Sequence, residues 1–239
     1  MRLGFRPAFW PTVITAVLLP ALVGLGAWQV QRLGEKRDLI ERIDAQIAAQ
    51  PVSLPRQSLN VVAWEYRRVT VKGQLHHNLE MYLLAHDRHG TFGYRVITPL
   101  AVDGGGWVLI DRGFVPMDRK DPALRAMGQL PGEIDLTGVV RRPSPQGWFV
   151  PDNQPEMNLW YFADAAAMAA AAGIDAPAYL IEADASPNPG GLPQGGQTRL
   201  NFPNNHLAYA LIWFGAALTL LAFYLLWHRR YRGLGHERL

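Results

Sequence analysis

The chain has 239 residues, a formal net charge of +3 and no cysteine. The absence of cysteine excludes thiolate metal sites, cysteine redox chemistry and covalent attachment of a c-type haem. The basic residues are scattered or gathered at the edges of apolar runs, which argues against a nucleic-acid partner and makes membrane lipid the nearer one.

Two uncharged runs organise the chain, Phe9 to Val30 and Leu207 to Trp227. About 20 helical residues at ~1.5 Å each cross a hydrocarbon core of ~30 Å, so each run is long enough to span. The roughly 175 residues between them are mixed in polarity and enough to bury a core of their own. The expected layout is a cytoplasmic N-terminus (1–9), a first span (10–30), an extracytoplasmic domain (31–205), a second span (206–228) and a basic tail (229–239). A cleaved signal peptide is the rival for the first run. The run is long for one, carries Pro11 and Pro20, and ends in a poor cleavage site. The basic start (Arg2, Arg6) and the basic tail (Arg229, Arg230, Arg232, Arg238) place both termini in the cytoplasm. With no Arg/Ser-rich presequence, the expectation is a bacterial inner-membrane protein with a periplasmic central domain.

In chain order, Thr12, Ala16, Pro20 and Gly24 recur every four residues along the first span and offer a ridge for another helix, with a kink expected at Pro20. Leu33, Ile40, Ile43 and Ile47 continue the helical period, and Pro51 ends it. The period then changes to two. Strands are predicted over Tyr66–Lys72, Glu80–Ala85, Tyr94–Val102, Trp107–Ile110, Ile134–Val140 and Ala178–Glu182. Asp103-Gly104-Gly105-Gly106 is a hairpin turn. Asp111 to Pro116 closes that unit. Asp164 to Ala172 is alanine-rich and helical, ended by Gly173. From Ser186 to Pro203, Pro and Gly predict a loop. The fold class is α+β: two terminal transmembrane helices flank an antiparallel sheet, able to curl into a barrel, with segregated helices.

Few constellations carry chemistry. His76, His77, His86 and His89 lie at hairpin ends, where copper or zinc binding competes with ordinary turn roles. Ser53, Ser58, Ser144 and Ser186 sit in no nucleophile elbow. Arg112 follows a buried strand and is more simply a paired structural arginine. No phosphate loop exists. No acid, base or nucleophile set survives, so the chain is not expected to be an enzyme.

His206 is different, because it stands at the mouth of the second span, where an ionisable side chain is a functional candidate. Tyr209, Ala210, Trp213 and Ala217 share its helical side. A small residue one turn away leaves room for a flat ligand, and histidine is a common axial ligand of haem iron. Trp28, Gln29 and Arg32 reach the same depth from the first span, and Arg32 or Arg199 can meet a propionate. The simpler alternative is that His206 caps its helix and the aromatics form a membrane belt.

The stretch Leu25-Gly26-Ala27-Trp28-Gln29-Val30-Gln31-Arg32 resembles the opening signature of the Surfeit locus 1 family. The similarity continues through Glu65-Tyr66-Arg67-Arg68-Val69, Thr98-Pro99, Arg112-Gly113-Phe114-Val115-Pro116 and Gly132 to Gly138. It ends with Gly195-Gly196-Gln197-Thr198-Arg199 and Asn205-His206-Leu207-x-Tyr209. The resemblance implies a non-catalytic assembly factor for aa3-type cytochrome c oxidase. It also implies transient binding of haem A, with His206 as the ligand of the iron, and help in placing it in subunit I. Haem A synthase and other assembly factors are the further partners implied. The alternatives are a cofactor-free chaperone of oxidase subunits and, behind it, copper delivery through the histidine turns.

Overall fold

A computed structural model describes residues 8–55, 59–87, 89–143, 145–198, 200 and 202–231. Arg2, Arg6, Ser58, Arg88, Ser144, Arg199, Arg232 and Arg238 lie outside the described residues. The chain divides into two compact units, Met1–Arg42 with Asn201–Leu239, and Ile43–Leu200. In chain order the elements begin α1 (Phe9–Ala48), β1 (Val52–Ser53), α2 (Val61–Trp64), β2 (Arg68–Leu75), β3 (Met81–His86), β4 (Phe92–Val102) and β5 (Trp107–Pro116). They continue β6 (Glu133–Arg141), β7 (Leu159–Trp160), α3 (Ala165–Ala171), β8 (Leu180–Ala183) and α4 (His206–Tyr231).

In the first unit, α1 and α4 are both long and apolar enough to cross a membrane. Helix α1 runs unbroken through Pro20. The helices are antiparallel, because Gln29 meets His206 while Thr12 meets Tyr224. The expected ridge is corrected. It begins at the contact with Thr12, but Ala16, Pro20 and Gly24 are exposed, and a Cβ on Gly24 would meet nothing within 4 Å. Steps of four advance about 400° around a helix of 3.6 residues per turn, so such a ridge drifts off any straight seam. The covered stripe of α1 alternates three and four instead: Thr15, Leu19, Leu22, Gly26, Gln29, Leu33. On α4 it reads Ala210, Trp213, Ala217, Leu220, Tyr224. This is the spacing of a left-handed helix pair. At Gly26 a Cβ would lie 2.6 Å from the Phe214 ring, so only glycine leaves that ring its place.

In the second unit, β2, β6, β8, β5 and β4 form a ring, closed by β2 pairing with β4. Val69, Val71, Leu75, Leu100, Val108, Ile110, Val140 and Ile181 form one buried cluster. Every barrel strand contributes to it, so it fills the interior. Leu109, on the opposite face of β5, packs with Ile97, Leu180, Trp160 and the α3 residues Ala165 and Met168. Burial on both faces explains the continuous apolar run from Trp107 to Ile110. The α+β barrel expectation holds, with one refinement. β5 pairs parallel with β8, as do β1 with β2 and β3 with β7. The long excursion carrying α3 between β5 and β8 supplies the crossover that parallel pairing needs. Strand β5 also continues past Ile110 to Pro116, through polar residues that find buried partners. The hairpin turn forms as predicted, with Gly104, Gly105 and Gly106 all at positive φ.

Candidate functional site

His206 opens α4, and its Nδ1 lies 2.7 Å from Oε1 of Gln29 across 177 residues of sequence. An amide oxygen only accepts, so Nδ1 carries the hydrogen, and a neutral ring keeps its lone pair on Nε2. Among the described residues Nε2 has no hydrogen-bond partner. Gln29 is buried, whereas His206 is half-buried. The site is therefore a fixed imidazole with one nitrogen available.

A second histidine in this unit shows the contrast. The buried His228 donates from Nδ1 to the Tyr224 carbonyl at 2.8 Å and accepts on Nε2 from the Ala8 amide at 3.1 Å. With both nitrogens engaged it has no lone pair left for a metal. Together with the Thr12–Tyr224 hydroxyl pair at 2.9 Å, it fastens the far end of the helix pair. Sequence reasoning placed Gln29 at the depth of His206 without pairing the two, and it missed His228. The available signals were an amide inside the first apolar run and a histidine directly after the second.

The other predicted site residues are placed as follows. Trp28 is 49% exposed and Tyr209 is 51% exposed. Trp213 is half-buried on the seam. Ala210 and Ala217 are buried, so the small residue expected to leave room below His206 is taken up by packing. The Arg32 guanidinium lies 5.9 Å from the Trp28 ring centroid and pairs with Glu35 at 2.8 Å. This pair is exposed and weak, so Arg32 can exchange partners at little cost. Arg199 falls outside the described residues.

The rival sites of the second unit resolve into structural roles. His76 stacks edge-on against Trp107, and His86 lies against Phe92. The Nε2–H of His77 donates to the Leu130 carbonyl at 3.0 Å. The described histidines of the turns thus do not converge, and no group of three His, Cys, Asp or Glu able to hold a metal occurs among the described residues. Arg112 is a paired structural arginine. It donates to Glu80 at 3.0 Å and to the Gly128 carbonyl, while Arg125 meets the other Glu80 oxygen at 2.5 Å. Burial would raise the Glu80 carboxyl. The hydrogen bonds of His77 and Arg125 and the charges of Arg125 and Arg112 outweigh it and hold Glu80 at about 2. A second buried network joins Arg95 to Asp111 at 2.6 Å and to Glu182 at 3.2 Å. There burial pushes Asp111 up to about 6, against the Arg95 charge and helped by Glu182. These polar side chains are what carry β5 beyond its apolar run.

Comparison with known proteins completes the picture. The chain is 39% identical to Surfeit locus protein 1 of Mus musculus over 225 residues, covering 87% of this chain and 73% of that one. It is 38% identical to Surfeit locus protein 1 of Homo sapiens, covering 87% and 75%. It is 34% identical to the SURF1-like protein of Drosophila melanogaster, covering 90% and 75%. The sequence model of the SURF1 family matches residues 16–218, which include both Gln29 and His206. The chain belongs to the SURF1 family.

Proposed function

We propose that this SURF1-family chain holds haem A through His206 and helps to place it in subunit I of an aa3-type cytochrome c oxidase. Family membership makes it an assembly factor for cytochrome c oxidase. The observation that carries the haem reading is the oriented imidazole. His206 is held through Nδ1 and keeps Nε2 for iron, the arrangement that metal-ligating histidines adopt. Haem A is cargo here. Trp28, Tyr209 and Trp213 offer aromatic surface around the histidine, and Arg32 can leave Glu35 for a propionate. A single ligand, with no second histidine beside it among the described residues, suits transient holding. In this reading the two spans sit in a bacterial inner membrane with both termini cytoplasmic. The barrel lies in the periplasm, where it meets oxidase subunits and haem A synthase. Residues 10–30 and 206–228 are the spanning portions.

The test is to co-produce the chain with haem A synthase and record the spectrum of the detergent-purified protein. A haem spectrum is expected, and His206→Ala should abolish most of it. An unchanged spectrum in that variant removes His206 as the ligand.

One observation favours a second reading. The helix pair is fastened by a histidine at each end, so His206 can be a clamp alone, in a cofactor-free chaperone of oxidase subunits. That reading expects oxidase binding without haem under the same co-production.

A further inference from the structure

We infer that Gln29 is a positioning residue: it holds His206 as the Nδ1–H tautomer and sets how firmly Nε2 grips iron. The second half rests on His206 being the haem ligand; the first half does not.

Gln29 is an amide within an apolar helix, only 9% exposed. Burying an amide there is unfavourable unless it is bonded. Its oxygen finds one partner among the described residues, the His206 ring at 2.7 Å. An isolated imidazole interconverts its tautomers and turns about its side-chain bonds. The short bond to a buried acceptor on a second helix suppresses both, which leaves Nε2 fixed as the ligating atom. The type of acceptor matters as well. A carboxylate at this place would draw the Nδ1 proton and make Nε2 a stronger donor to metal. A neutral amide orients the ring while leaving the iron bond ordinary in strength, which suits a protein that must let its cargo go.

The test uses the full chain in detergent and two substitutions. Gln29→Leu keeps the bulk and removes the acceptor; Gln29→Glu restores an acceptor. Without haem, 15N NMR of the histidines, with His206→Ala for assignment, should show Nδ1–H in the parent. It should show a tautomer mixture in Gln29→Leu and Nδ1–H again in Gln29→Glu. With haem, retention through a gel-filtration column should fall about 10-fold in Gln29→Leu. Gln29→Glu should equal or exceed the parent, with a lower midpoint potential. A Gln29→Leu protein indistinguishable from the parent in the NMR overturns the inference. So does a Gln29→Glu protein that fails to restore the tautomer. An altered tautomer with unchanged retention and potential overturns the claim about grip. A parent that takes up no haem defeats the proposed function instead, and the NMR still decides the role of Gln29.

Discussion

Replacing Glu80 by Gln should be among the most damaging single changes in the barrel unit. The Glu80 side chain is 2% exposed, and its partners Arg112 and Arg125 are 4% and 1% exposed. Removing the carboxylate charge strands two buried guanidinium groups, and breaking a buried pair of this kind costs about 3–5 kcal/mol. The lowered carboxyl leads to a similar figure from the same contacts. Glu80 falls from its ordinary 4.5 to about 2, and at ~1.36 kcal/mol per tenfold change the difference is worth about 3 kcal/mol. For a unit of this size each kcal/mol moves the melting point by ~2–4 °C, so Gln should lower Tm by about 10 °C. The assay is thermal unfolding followed by tryptophan fluorescence at pH 7. The control is Glu133→Gln, whose pair with Lys72 at 3.5 Å is half exposed. That variant should move Tm by less than ~2 °C. The pH profile has a defined sign. Glu80 binds its proton more weakly when folded, so its stabilisation is complete above about 4.5 and is lost as the pH falls towards 2. The parent should lose stability through that window, and Glu80→Gln should be flatter there. Equal Tm shifts for the two variants would refute the reasoning, because they would mean that the Glu80 cluster is solvated.

Asp111 should act in the opposite direction. Its carboxyl is raised to about 6, so folding costs least below the ordinary value of 3.8 and the cost grows as pH rises through 6. Asp111→Asn should remove that part of the pH dependence of Tm between pH 4 and 6.5. Gly113→Ala should be severe. The residue sits at φ +117 and a Cβ would lie 2.0 Å from the Gln194 carbonyl, so about 3 kcal/mol or more is expected, with earlier proteolysis of the 186–198 loop. In the helix pair, Gly26→Leu should separate α1 from α4. With no native cysteine, spin labels attached at Thr12→Cys and Tyr224→Cys report the separation, which should lengthen.

The period-two and period-3.6 patterns made most of the architecture legible, because barrel strands need alternating faces and a spanning helix needs a long apolar run. Strands β1 and β7 escaped notice because two residues have no period. The true length of β5 was hidden by Asp111 and Arg112. Charged residues read as a strand end, and their burial is intelligible only with Arg95 and Glu80 in place. The site was half legible. His206 stood out by position and Gln29 by its equal depth, but they lie 177 residues apart, and no local pattern shows that they bond. Ala210 misled the reading, since a small residue next to a histidine serves helix contact as readily as ligand space. The SURF1 resemblance filled a gap that spacing could not fill.

The place of β8 has a consequence for how the protein is made. This strand sits between β5 and β6, yet it is the last of the barrel in sequence. Until Leu180 to Ala183 emerges, β5 and β6 each present a bare edge ready to pair wrongly with another chain. Helix α4 follows about 20 residues later, on the order of a few seconds at typical synthesis rates. The strand that closes the barrel and the helix that carries His206 are thus made within seconds of each other. A chain stalled before Leu180 would carry an open sheet and no second span, and quality control would meet both defects together.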